Sequence, residues 1–345
     1  MNAPRLLLLR TDRLGDTVLA LPAAAELRAA FPNAHIGFVC RPENEPLVAL
    51  DRNINEVIAW APEQGAAALR ERIGSWDGCA MLLPKPPSVA WALMLEGIPI
   101  RVGTARRWWA LLYTHRVGGS RRSGQAHESE HNRLLAHELI RAFKGSPVDT
   151  LPAPTGITIP DTLAQRAAAI YAESGLHDAP TVILHGGSRG SARDWSMPRM
   201  LGLAQILLDE GYQVAWTVGP VDEAIRADVE LALGDEARFI SGCSLDELCA
   251  VCARAACLVA NSTGPLHVAA AVGTPVVGLY PPVQACTPDR WGPIGTKQII
   301  ITAPLREGES NPLPDPESAP PDLMDRITVA EVHHAVTSLI TGIAS

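Results

Sequence analysis

The strongest constraint on this chain is a repeating order: a short apolar run, a polar turn bearing glycine, then an Ala/Leu-rich helical stretch. Residues 6–9 (LLLL) lack polar alternation, so they read as a strand buried on both faces. A turn at 10–16 (RTDRLGD), a helical stretch over 17–31 and a second strand at 34–40 follow. This is a βαβ unit, which requires a parallel sheet with crossover helices on its faces. The same texture predicts strands at 56–59, 79–83 and 100–103, and helices at 66–73, 88–95 and 133–143. It breaks at 146–160, where four prolines and little periodicity predict a linker.

A second series follows, with strands at 181–185, 213–218, 237–240, 258–260 and 276–280. Helices are expected between them at 198–210, 222–233, 244–254 and 264–272. Residues 305–322 carry five prolines and predict an exposed loop, and Thr328 with Glu331 forms a capping box that opens a last helix. The fold class is therefore α/β, with two doubly wound Rossmann-like domains facing an interdomain cleft, since such sheets bind ligands beyond their strands' carboxyl ends. The expected divisions are 1–150, a linker at 151–160, a second domain at 161–325, and a helix at 326–345 free to pack back on the first domain.

Composition narrows the classes. No apolar run approaches the roughly 18 residues that span a bilayer, and the first ten residues do not read as a signal peptide. Seven cysteines, an odd number scattered over 345 residues, favour a reducing, cytoplasmic compartment. Residues 1–150 hold 18 Lys+Arg against 15 Asp+Glu, whereas 151–345 hold 11 against 22, so general nucleic-acid binding is not expected. Within the first half, 101–122 carries six arginines and no acid, interleaved with Trp108, Trp109 and Tyr113. Arginine forks fit phosphates and aromatic rings fit a membrane interface, although a solvated face over core tryptophans reads equally well. Arg13, Arg106, Arg107, Arg121 and Arg122 are the candidate contacts for an anionic acceptor.

Three strand-to-helix turns carry the candidate chemistry: 10–16, 185–195 (HGGSRGSARDW) and 261–267 (NSTGPLH). Helix starts at such turns favour anions. None is a G-x-G-x-x-G fingerprint and no P-loop occurs, so dehydrogenases and P-loop kinases lose their warrant, and a nucleotide-sugar enzyme fits better. His127-Glu128-Ser129-Glu130-His131 satisfies H-E-x-x-H, a zinc-hydrolase pattern, but in a glycine- and arginine-rich context with no third ligand at a recognised spacing. Cys249, Cys252 and Cys257 sit at apolar spacing and read as core.

Residues 10–36, 131–135, 185–195, 218–223 (VGPVDE) and 261–282 together resemble glycosyltransferase family 9, the lipopolysaccharide heptosyltransferases, in order and over nearly the whole chain. The resemblance implies a GT-B fold and an ADP-heptose donor. It also implies inverting transfer with no metal and no cofactor, and a lipid-linked core oligosaccharide acceptor, with peripheral contact at the inner membrane. By itself Asp16 reads as a helix N-cap or as a carboxylate base, and the resemblance implies the base. In either role the helix start and nearby Arg13 should lower its pKa. Arg193, Thr263, Gly264 and His267 match donor-diphosphate positions, although Arg193 could also pair with Asp194, and His267 could be structural. Glu223, with Asp222 as competitor, matches an acid near the ribose, and Ser262 stands where the family often has Asp. Rivals are transfer to a protein, transfer of another sugar such as rhamnose, a binding protein without turnover, and the zinc hydrolase.

Overall fold

The computed structural model describes residues 3–83, 86–119, 126–146, 155–177, 179–187, 194–219, 222–284, 286–314 and 319–342. They divide into two compact units, 1–158 and 159–345. In the first, β1 (Arg5–Leu9), α1 (Leu14–Val18), α2 (Leu21–Ala30), β2 (His35–Cys40), α3 (Glu45–Val48) and β3 (Glu56–Ala59) come in turn. Then follow α4 (Gly65–Ile73), β4 (Gly78–Met81), α5 (Pro87–Leu95), β5 (Ile100–Thr104), β6 (His115–Val117) and α6 (Glu128–Lys144). The strands form one parallel sheet in the order β3-β2-β1-β4-β5-β6. Leu6 to Leu9 are buried, as a strand covered on both faces requires.

The second unit contains α7 (Asp161–Glu173), β7 (Thr181–His185), α8 (Met197–Asp209), β8 (Gln213–Val218), α9 (Glu223–Leu233) and β9 (Phe239–Ser241). It continues with α10 (Leu245–Arg254), β10 (Cys257–Asn261), α11 (Gly264–Ala271), β11 (Val276–Tyr280), α12 (Pro288–Trp291), β12 (Gln298–Thr302) and α13 (Val329–Thr341). Its parallel sheet runs β12-β11-β10-β7-β8-β9. In both units the first strand lies beside the fourth, and chain order reverses there. That topological switch is where doubly wound sheets place ligands.

The differences from expectation have local causes. The helix expected over 17–31 is two helices, because Pro22 lacks an N–H and is tolerated only in the first turn of α2. The three-residue edge strand β6, the edge strand β12 and the helix α7 go beyond the predicted elements. The Pro-rich stretch is not simply exposed: Leu313 and Ala319 are buried, and Arg326 holds Glu309 at 2.6 and 2.9 Å. Helix α13 packs on α8 and buries Val332, Ala335 and Val336 in the second unit's own core, where the sequence left room for packing on the first domain.

The described end of the linker belongs to the first unit. Asp51 is buried and accepts from the backbone N–H groups of Asn53 (2.9 Å) and Gly156 (3.1 Å), while Arg52 N–H donates to the Gly156 carbonyl. A Cβ at residue 156 would collide with both Asp51 Oδ1 and Asn53 Nδ2. Gly156→Ala should therefore cost about 1–3 kcal/mol, read as a lowered denaturation midpoint. An unchanged midpoint would show that this clasp contributes nothing.

Candidate active site

In the first unit the candidate residues are organised by Arg10, which is 1% exposed at the carboxyl end of β1. Each of its three guanidinium nitrogens meets a fixed acceptor. Nε donates to Asp12 (2.7 Å), and Nη2 to Asp16 (2.5 Å). Nη1 donates to Glu128 (2.8 Å) and Asn132 (3.0 Å), with the Leu82 carbonyl at 3.5 Å. A buried cation needs such pairing, because desolvation otherwise costs several kcal/mol. Burial lowers the basicity of the guanidinium, but Asp12, Asp16 and Glu128 outweigh it and hold the charge in place. Asn44 donates to Thr17 Oγ1 (2.9 Å) and to the Asp12 carbonyl (3.3 Å), fixing the turn from its other side.

Asp16 is the third residue of α1, whose N-cap is Arg13, so it does not cap the helix. Nor is its pKa lowered as the sequence suggested. Burial raises it, the Arg10 charge opposes, Asp12 and Glu128 add to the rise, and the carboxyl is pushed up to about 6. Arg13 is exposed, and the cation that faces Asp16 is Arg10. No periodicity marks Arg10 or Asn132 as functional; the only signal was the placement of an arginine directly after a fully apolar strand.

In the second unit three loops leave the carboxyl ends of the neighbouring strands β10, β7 and β8. Thr263 is the N-cap of α11, and its buried Oγ1 has no hydrogen-bond partner among the described residues. Gly264 opens that helix and His267 lies one turn on, 4% exposed. Ser262 is hydrogen-bonded to Tyr280, whose hydroxyl donates to the Trp291 carbonyl at 2.9 Å. Glu223 is exposed at the first position of α9, while Asp222 is held in its own turn by the Gly219 N–H at 2.7 Å. Arg193, Arg121 and Arg122 lie outside the described residues. The turn that carries Arg193 is anchored at its far end, since buried Asn261 accepts from the Trp195 N–H (2.9 Å) and the Trp195 indole donates to the Ile327 carbonyl (2.9 Å).

The basic-aromatic stretch divides between its two readings. Trp109 and Tyr113 are core, whereas Trp108 is 70% and Leu111 77% exposed. Arg106 is exposed and Arg107 lies over the Trp109 ring at 5.7 Å. The zinc reading loses its base: the buried Glu128 is paired with Arg10, and His127 sits outside α6 as its N-cap, accepting from Ser129 N–H. Among the described residues no cluster of His, Cys, Asp and Glu could hold a metal ion. Burial pushes the Cys249 and Cys257 thiols up to about 12, as inert core groups.

A sequence model of glycosyltransferase family 9 (heptosyltransferase) matches residues 51–317. The chain belongs to that family. It is a glycosyltransferase with the GT-B fold. A Haemophilus influenzae protein described as a glycosyltransferase is 26% identical, covering 89% of this chain and 92% of its own length. Lipopolysaccharide heptosyltransferase 2 of Escherichia coli K12 is 26% identical over 86% of this chain and 87% of itself. The crystal structure of a family 9 glycosyltransferase from Veillonella parvula superimposes with a TM-score of 0.82 at 22% identity, covering 98% and 97% of the two chains.

In this family 9 enzyme, Arg10→Met would leave three buried or half-buried carboxylates without their cation. The loss should be about 3–5 kcal/mol near neutral pH. Without the cation, burial penalises the ionised carboxylates and protonation relieves that penalty, so the loss should shrink as pH falls towards 5. Denaturation at several pH values measures this; a loss independent of pH would contradict the pairing.

Proposed function

We propose that this family 9 glycosyltransferase moves a heptose from ADP-heptose to a lipopolysaccharide inner-core acceptor, with inversion and without a metal ion. The observation that carries the proposal is Asp16, a carboxylate at the switch point of the first sheet, held by Arg10 yet with a pKa of about 6. Such a group is ionised at neutral pH and basic enough to take a proton. In the transfer Asp16 accepts the acceptor hydroxyl's proton as that oxygen bonds to the anomeric carbon. The bond from that carbon to the diphosphate breaks with its electron pair, and ADP leaves. Arg193, the Thr263 hydroxyl and the first N–H groups of α11 meet the charge that develops on the diphosphate. His267 supports the same phosphates, Glu223 takes the ribose, and Ser262 lies towards the sugar. The name of the E. coli relative and the matching family support the heptosyl donor and the lipid-linked acceptor.

The acceptor side falls to the first unit. A shallow cavity lined by Met81, Leu82, Thr104, Val117, His131 and Leu134 adjoins the Arg10 cluster through Leu82. Nearby in the fold, α5 packs on the 108–112 turn, and exposed Trp91, Leu95, Trp108 and Leu111 come from these two segments. Among the described residues Arg106, Arg107 and Arg116 have no carboxylate partner, and Glu96 is paired with Arg70. Tryptophan and unpaired arginine suit an anionic bilayer surface. No helix among the described residues is long and apolar enough to cross a membrane, so contact there would be peripheral, at the cytoplasmic face of the inner membrane.

Asp16→Asn should lower turnover of ADP-heptose by about 10²–10⁴-fold. Its affinity for ADP, read by calorimetry in EDTA, should stay within a few-fold, because the base acts in the transition state. Retained turnover, or a collapse of ADP binding, would contradict the assignment. For the unmodified enzyme kcat/KM should fall tenfold per pH unit below about 6, as Asp16 takes a proton. Co-sedimentation tests the surface: binding to phosphatidylcholine vesicles only when phosphatidylglycerol is added, and lost with Arg106→Glu/Arg107→Glu or Trp108→Ser. Equal sedimentation of the variants would remove this face from membrane contact.

A further inference from the structure

Among the described residues the H-E-x-x-H sequence belongs to no cluster that could hold a metal ion, yet its Glu128 is 1% exposed in α6, 118 residues from the arginine it contacts. A fully buried carboxylate is costly unless it is paired, and here the pair is Arg10 Nη1 at 2.8 Å. The opposite edge of the same guanidinium holds Asp12 on Nε and Asp16 on Nη2. We propose that Glu128 is a positioning residue for Asp16: it clamps and partly neutralises Arg10, which aims the Asp16 carboxylate without holding it too tightly to accept a proton. The proposal rests on Asp16 being the base.

The electrostatics follow from counting charges. One guanidinium faces three carboxylates, a formal −2 if all are ionised. Were Asp16 the sole partner of Arg10, the full positive charge would stabilise its anion and weaken it as a base. Glu128 and Asp12 share that charge, so less of it falls on Asp16. Other charged groups on the packed elements do not replace them. Arg133 of α6 is paired with Glu26 at 2.6 Å, Arg13 is exposed at the N-cap of α1, His127 is the N-cap of α6, and His131 lies in its opening turn. Asn132, the neutral acceptor on Nη1, also donates to the Leu19 carbonyl at 3.0 Å and keeps α6 in register with α1 and α2.

The test is Glu128→Gln in the full chain, which keeps an oxygen for Arg10 and removes the charge. The turnover number should fall about tenfold, and the acidic limb of its pH profile should move to lower pH by about half a unit or more. ADP affinity should stay within about twofold. Moving the charge along α6, in Glu128→Gln/Asn132→Asp, should return the limb towards its original position. A limb that stays put, with or without loss of rate, overturns the proposal and leaves Glu128 a structural ion-pair partner. If Glu128→Gln does not fold, Asp12→Asn at its partly exposed position reads the same hub, and an unmoved limb there overturns it. The two levels separate cleanly. An active Asp16→Asn removes the base, whereas an inactive Asp16→Asn beside an unmoved limb in Glu128→Gln removes only the positioning role.

Discussion

A guanidinium with almost no access to water dictates how the first unit is built. Arg10 ends a fully apolar strand, so it enters the interior whatever its charge, and the fold must bring anions to it. Two come from the turn that follows β1, and the third comes from α6. The turn is thereby locked to a helix distant in sequence, and a carboxylate is fixed beyond the carboxyl end of the central strand. The same contacts that make the cation tolerable set the basicity of Asp16. Structure and chemistry are not separable at this point: weakening the cluster changes both.

The second unit carries the proposed donor residues in a different arrangement. It uses no glycine-rich fingerprint. Instead, turns leave three adjacent parallel strands, and one of them opens α11 with a buried threonine hydroxyl that has no partner among the described residues. Buried Asn261 accepts from the Trp195 N–H, and the Trp195 indole donates to the Ile327 carbonyl in the segment before α13. Tyr280, hydrogen-bonded to Ser262, ties the start of α11 to the Trp291 carbonyl.

Much of this was legible in the sequence. Apolar runs without alternation gave both parallel sheets, and five of six strands in each unit were placed from them. What escaped was short or at an edge: β6 has three residues, and β12 lies at the end of its sheet. The candidate site was read through motifs and a family resemblance, which singled out Asp16, Thr263, Gly264 and His267 as candidates. Arg10 and Glu128 were in view, one opening the 10–16 turn and the other inside an H-E-x-x-H pattern set aside for its context, and their pairing was not foreseen. Their role depends on a contact across 118 residues, which no local pattern encodes. For the same reason the pKa of Asp16 was assigned the wrong direction: sequence shows the nearby Arg13 but neither the burial nor the two competing carboxylates.

The central claim is that Asp16 is a buried carboxylate whose basicity is set by sharing one arginine. Carboxyl-carbon NMR titration of the full chain, with Asp16→Asn to assign the resonance, tests it without any substrate. A midpoint near 6 for Asp16 is predicted. A midpoint at or below the ordinary aspartate value of about 4 would show that Arg10 holds Asp16 as a simple ion pair, and the account of the base would fail.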